Sequence, residues 1–291
     1  MEKRDVKKGL LALFACHVLW GFQPLYWAIL PDIEPGFLMA ARALAAGPMC
    51  ILILLCTKKL SGIGAVFKDR GLFLREAVAA ALLAVDWVVY LVAVKNGLVL
   101  ACALGYYIMP VVVFFLGAAV FREPVRPFHV VALALILCGI VLSARGFGSV
   151  PMPTVILSVA FAVYSAVKKG IPLDSNVSTT VEILFMAPFA LAWILLTASG
   201  RAGIAALDLK TVLFLLGGGV VTGLPMVFFA IGVKNVSLMT TGITEYLSPT
   251  LGILCGLLLG ERFNTDKLLT FLFIWAGVAV FSVFTMKRRE A

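Results

Sequence analysis

Apolar residues run in long, nearly uninterrupted stretches along this chain, and charged residues gather in the short intervals between them. The stretches fall near 9–30, 36–56, 72–94, 98–121, 127–145, 151–168, 178–198, 211–233, 237–259 and 267–286. A helix crossing about 30 Å of hydrocarbon at about 1.5 Å per residue needs about 20 residues. Each stretch is close to that length. The pattern predicts an all-α integral membrane protein of ten transmembrane helices, with short loops and no room for a soluble domain.

Composition agrees. The chain is 62% hydrophobic and 13% charged, with mean hydropathy +1.08. Soluble domains run near 45–50% apolar and about 25% charged. The start is basic and then apolar like a signal peptide, but it lacks a small-residue cleavage site and continues to about Leu30. It reads as a retained first helix.

The net charge of +9 changes the picture only through its placement. Alternate connections hold Lys3, Arg4, Lys7, Lys8; Lys58, Lys59, Lys68, Arg70; Arg122, Arg126; Lys168, Lys169; Lys234; and Lys287, Arg288, Arg289. These sixteen face six in the other set: Lys95, Arg145, Arg201, Lys210, Arg262 and Lys267. The richer set belongs to the cytoplasm, which puts both termini inside. No basic stripe with interleaved aromatics occurs, so nucleic acid is not an expected partner. The six cysteines lie in or beside apolar stretches, form no CxxC pair, and accompany only His17 and His129. The sequence therefore predicts no metal site and no cofactor.

One segment occurs twice. Val94-Lys95-Asn96 precedes Tyr107-x-x-Pro110, and Val233-Lys234-Asn235 precedes Tyr246-x-x-Pro249, 139 positions later. Arg42 and Pro48 match Glu182 and Pro188 at an offset of 140. Phe121-Arg122-Glu123 and Leu259-Gly260-Glu261 follow the two copies. The predicted units are a first repeat over 1–147 (spans 1–5) and a second over 148–291 (spans 6–10). Five spans is an odd number, so the second unit is inverted in the membrane. Two inverted five-helix repeats around a central cavity can exchange roles, which is the physical content of alternating access.

Ionisable groups well inside spans mark candidate function. Asp86 is about fourteen residues into span 3, and Glu245 is about eight into span 9, some 12 Å deep. A charge at such depth costs about 2.5–3.5 kcal/mol. Both are candidates for substrate binding and proton coupling. Arg42 and Glu182, repeat partners at opposite faces, are gate candidates. Arg42 is also expected to meet Asp86 or a substrate anion rather than Glu182. Tyr106, which aligns with Glu245, and Tyr107, which aligns with Tyr246, offer hydroxyls and flat faces to a solute, as Trp20, Trp27 and Trp87 offer their rings. Packing is the competing role for these aromatics. His17 is a further proton-relay candidate, with packing again the alternative. Pro110, Pro225 and Pro249 remove backbone bonds mid-span and are expected to act as hinges. Gly252, Gly256 and Gly260 are expected to allow close helix contact.

The motifs LWGFQPLYW (19–27), ALGYYIMP (103–110), RGFGSVP (145–151), VKKGI (167–171), EYLSPTLG (245–252), GERF (260–263) and FLFIWAGVAVF (271–281) give the chain a family resemblance. It resembles the drug/metabolite transporter superfamily in its EamA-type branch, and is similar to the RarD-type proteins associated with chloramphenicol sensitivity. The resemblance implies a basket of helices with spans 5 and 10 peripheral. It also implies movement of small organic solutes across a bacterial inner membrane. The chain departs at Ala101, Asp86 and Glu245, where RarD-type proteins carry glutamate, asparagine and glutamine.

Together these readings predict a secondary transporter for a small polar or charged organic metabolite, amino-acid-like or drug-like. Its partners would be that solute and membrane lipid, and it would work as a monomer. No nucleotide-binding GxxxxGK[ST] loop occurs, and HExxH and GxSxG are absent, so no catalytic residue is predicted. A channel or partner-binding subunit is the alternative, and a membrane-embedded enzyme a weaker one.

Overall fold

The computed structural model describes residues 5–29, 33–96, 98–144, 151–258 and 265–287. Lys3, Arg4, Arg145, Gly260, Glu261, Arg262, Arg288 and Arg289 lie outside the described residues, as do the side chains of Lys95, Ala101, Gly256, Lys267 and Lys287. Among the described residues the chain is all-helical. The first part runs α1 (Val6–Trp27), α2 (Pro35–Cys56), α3 (Ser61–Lys68), α4 (Arg70–Lys95), α5 (Val99–Ala119) and α6 (Pro127–Ala144). The second runs α7 (Met152–Gly170), α8 (Ser175–Leu196), α9 (Ala198–Ala205), α10 (Leu209–Asn235), α11 (Leu238–Glu245), α12 (Leu247–Leu258) and α13 (Thr265–Lys287).

Among the described residues, seven helices are long and apolar enough to cross a membrane: α1, α2, α4, α5, α7, α8 and α10. Shorter apolar stretches occupy 127–142 of α6 and 272–284 of α13. Helix starts are capped as the sequence allows. Asp174 accepts the Asn176 N–H at 3.0 Å, and Asp208 accepts the Thr211 N–H at 2.7 Å. Each carboxylate satisfies a donor that the first helical turn leaves without an intrahelical acceptor.

Three features differ from the sequence expectation. The ninth apolar stretch divides at Tyr246 into α11 and α12. Proline has no N–H, so Pro249 cannot bond the Glu245 carbonyl four residues back. The Tyr246 N–H turns to Ile243 at 3.4 Å instead. Second, Lys168 and Lys169, expected in a loop, form the last turn of α7, and Lys168 is fully buried. Third, Gly252 makes no close contact. The tight approaches lie elsewhere. A Cβ on Gly219 would sit 2.2 Å from the Ala45 carbonyl oxygen, and one on Gly242 would sit 2.8 Å from that of Pro110.

α1 packs on α10 and α12, α2 on α8 and α10, α4 on α7 and α8, α5 on α7 and α11, and α6 on α13. Alternating chain direction puts the starts of α1, α4, α8 and α11 at one end of the bundle, hereafter the near end. α2, α5, α7 and α10 start at the far end.

Candidate functional site

Toward the far end, four helices bring one charged pair and four aromatic rings together. α2 begins there with Glu34 accepting the Phe37 N–H at 2.8 Å. Two turns on, Arg42 is partly buried, with Cζ 5.6 Å from the Trp27 ring centre and 5.0 Å from that of Trp87. A guanidinium held over an indole face gains about 0.5–2 kcal/mol, more as water is excluded. Asp86 precedes Trp87 on α4 and is 3% exposed. Its charged and polar neighbours are Tyr106 of α5 and Arg42. Tyr90 completes the group, its ring 6.1 Å from that of Tyr106. Arg42 Nε, Asp86 Oδ1 and Trp27 Nε1 are buried without a hydrogen bond. Such atoms are costly to leave unpaired, and a solute with a carboxylate, an ammonium or an amide would satisfy them.

Below this group lies a layer of rings. Trp20 stands 5.9 Å from Phe161 and 5.7 Å from Phe229, and Tyr164 stacks on Phe229 at 6.0 Å. His17 meets Trp20 edge-on at 5.7 Å. Its Nδ1 lies 3.1 Å from the Ser248 hydroxyl, and its Nε2 lies 3.4 Å from that of Thr244. Glu245 ends α11 at the helix break, 3% exposed, and neither carboxylate oxygen has a hydrogen-bond partner. Next to it, the Tyr246 hydroxyl donates to the Tyr107 carbonyl at 3.0 Å.

A second charged group occupies the near end. Lys168 Nζ is 2.7 Å from Glu182 Oε2, with both side chains fully buried. The ammonium also donates to Thr179 Oγ1 at 3.3 Å, and the Tyr164 hydroxyl donates to Glu182 Oε2 at 3.1 Å. Glu76 of α4, fully buried, lies beside Lys168, Glu182 and Ser178. Links around this end join the first part of the chain to the second. Asp5 N–H donates to Asn235 Oδ1 at 3.1 Å, and Lys59 meets Asp174 at 2.5 Å. Glu123 accepts the N–H groups of Leu238 and Met239 at the start of α11, at 2.5 and 2.8 Å. A cavity of about 380 Å³ opens beside them between Val6, Glu123, Arg126 and Ser237, and none of the predicted site residues lines it.

The structure thus joins Arg42, Asp86 and Tyr106, and ties Tyr107 to Tyr246. It gathers His17 and Trp20 into the ring layer, and keeps Arg42 and Glu182 in separate groups. α5 and α10 run unbroken through Pro110 and Pro225. Glu76, Lys168 and Tyr90 were not among the predicted site residues. The Asp86-Trp87 dipeptide was a usable signal for an aromatic wall. Two adjacent lysines at a helix end gave no sign of which one points inward.

The sequence matches the EamA-like transporter family over residues 7–145. It is 32% identical over 296 residues to the uncharacterized transporter YojE of Bacillus subtilis, covering 100% of this chain and 99% of that one. It is 26% identical over 293 residues to the protein RarD of Escherichia coli, covering 99% of each. A solved protein structure at 19% identity covers 96% of this chain and 99% of its own, with a TM-score of 0.72, which shows a shared fold. Apolar crossing helices, buried charges facing one another and full-length similarity to transporters agree: this chain is a multi-pass membrane protein that belongs to the EamA-like transporter family.

Proposed function

We propose that the protein is a secondary transporter that moves a small polar or charged organic solute across the bacterial inner membrane by alternating access, as a monomer with both termini in the cytoplasm. The observation that carries this reading is the Arg42–Asp86 pair flanked by Trp27 and Trp87 inside a membrane bundle. Paired opposite charges with flat apolar walls fit a zwitterionic or polar aromatic solute better than a bare ion.

On this reading the chain is two inverted repeats, 1–147 and 148–291, of five spans each, with α11 and α12 together forming the ninth. The packing pattern supports it. Advancing each helix by one repeat turns the α5–α7 contact into α1–α12, α1–α10 into α4–α7, and α2–α10 into α4–α8. The α2–α8, α5–α11 and α6–α13 contacts map onto themselves. The short helices α3 and α9 follow the second and seventh spans. The near end would face the cytoplasm, and its links between the halves would keep it shut. The Arg42 group, partly exposed, would be reached from outside.

Proteoliposome counterflow with labelled zwitterionic solutes tests the proposal. Flux should saturate with solute and be lost in Arg42→Ala. Flux that rises without saturation, unchanged in Arg42→Ala, would replace the carrier with a channel.

A further inference from the structure

The near-end group is unbalanced in charge and in hydrogen bonds. Two carboxylates, Glu76 and Glu182, accompany one ammonium, Lys168, and all three are fully buried. Lys168 and Tyr164 direct their donors to Glu182 Oε2. Both oxygens of Glu76 and Oε1 of Glu182 lack a hydrogen-bond partner of good distance and angle. The Ser178 hydroxyl beside Glu76 offers one neutral donor. What the group lacks is a second positive charge, and a proton on a carboxyl oxygen supplies it.

We propose that Glu76, Glu182 and Lys168 form a single-proton site, in which two carboxylates share one ammonium and one exchangeable proton. The proton comes from hydronium in near-end water and forms an O–H bond on Glu76, leaving Lys168 paired with Glu182. Two like charges in one buried site cannot both stay ionised cheaply, as in other carboxylate pairs.

Groups from each neighbouring element bear on that balance. α7 contributes Lys168 and Tyr164, and α8 contributes Glu182 and Ser178. Cys50 of α2 lies beside Lys168 and Glu182. α3 brings Lys68, which is exposed, while Tyr106 of α5 stands with Asp86 instead. Lys234 of α10 adds a longer-range positive field. Its ammonium is partly exposed and donates to the Leu173 carbonyl at 2.7 Å, so it does not supply that second charge within the group.

Glu76 belongs to the first half of the chain, and Lys168 and Glu182 to the second. Ionised Glu76 competes for Lys168 and draws α7 toward α4. Protonated Glu76 releases it to Glu182. Proton occupancy therefore sets a link between the halves. Its coupling to transport rests on the transporter reading above, whereas the proton site does not.

Proton counting on the purified full-length protein, with infrared difference spectra between acidic and alkaline buffer, tests the site. Wild type should release about one proton per chain more than Glu76→Gln, with a buried-carboxyl stretch that this variant lacks. Glu182→Gln should lose the same proton, because Lys168 then has Glu76 alone and keeps it ionised. Glu76→Asp should shift the band without removing it, and Asp86→Asn should leave it in place. Equal proton counts and an unchanged band in Glu76→Gln and Glu182→Gln would overturn the proposal. So would loss of the wild-type band on replacing choline with sodium, which would make this a metal-ion site. If the proton is found but proteoliposomes show no carrier flux, the transporter reading falls and the proton site stands.

Discussion

The Tyr246 hydroxyl donates to the carbonyl oxygen of Tyr107, 139 positions earlier in the chain, at 3.0 Å. These are the two tyrosines that the repeated Tyr-x-x-Pro segment aligns. The bond ties α5 to the point where α11 gives way to α12. Tyr246→Phe removes the donor and keeps the ring. It should cost about 0.5–1.5 kcal/mol of stability, read from denaturation in detergent. If the tie positions the break, turnover should fall further than stability does; a variant with full turnover would separate the bond from function.

At the break, Pro249 lacks the N–H that the Glu245 carbonyl would otherwise accept. Pro249→Ala restores a donor for the Glu245 carbonyl and lets α11 and α12 fuse. An interior helical proline is unfavourable by about 3 kcal/mol relative to alanine. The variant should therefore be more stable, with slower amide exchange across 245–250, and should transport more slowly. Unchanged turnover would remove Pro249 from the hinge role and leave the break a packing feature.

The all-helical, apolar character of the chain and the meeting of Arg42 with Asp86 could be read from the sequence, because an ionisable residue in an apolar span stands out against its surroundings. Glu76 and Lys168 could not. Glu76 sits two turns from the start of α4, where a carboxylate equally well reaches headgroups. It shares a buried face with Ala79, Ala80 and Leu83. The apolar residues of α4 are spread evenly around it, so nothing in the sequence marks that face. Lys168 and Lys169 are adjacent, about 100° apart around the helix. One turns inward to Glu182, and the other reaches the carbonyls of Val233 and Val236. Tertiary packing decides which. The division at Tyr246 was half visible: Pro249 predicted a kink, but Pro110 has the same spacing from its tyrosine and α5 continues through it.

Arg42 between two indoles makes a prediction that charge alone does not. Arg42→Lys keeps the positive charge but loses the planar face that stacks between Trp27 and Trp87. Losing about 1.4 kcal/mol of solute binding corresponds to a tenfold change. KM in Arg42→Lys should therefore rise about tenfold with a smaller change in the limiting rate. Trp87→Leu should do the same. An unchanged KM in both would show that Arg42 only balances Asp86.

The Lys59–Asp174 bridge lies outside the crossing helices, with 44% and 35% of the side chains exposed. For Asp174, burial acts to raise the carboxyl's pKa. It is outweighed by the Lys59 hydrogen bond and the N–H groups of Asn176 and Val177, so the pKa falls below its ordinary 3.8. A lowered acid pKa stabilises the fold fully above that ordinary value, and the contribution is lost as pH falls through the folded value. Asp174→Asn keeps the helix cap and removes the charge. It should cost about 0.2–1 kcal/mol near neutral pH, less in high salt. The difference from wild type should vanish in strong acid. A gap that persists there would assign the effect to the cap.

Lys168 and Glu182 test how a buried pair contributes. Lys168→Met leaves two carboxylates with no ammonium, and removing one partner of a buried pair costs about 3–5 kcal/mol. Part of that loss should return at low pH, where both carboxylates can be protonated. Lys168→Met with Glu182→Leu removes the pair and leaves Glu76 alone, free to stay neutral. Apolar replacement of a whole buried pair is often neutral or stabilising, so the double variant should be more stable than Lys168→Met in the same detergent. Transport should fail in both, because the shared ammonium that links the halves is gone. A double variant no more stable than the single one would mean that the ion pair is not the source of the loss. A double variant that still transports would reduce the pair to a packing element.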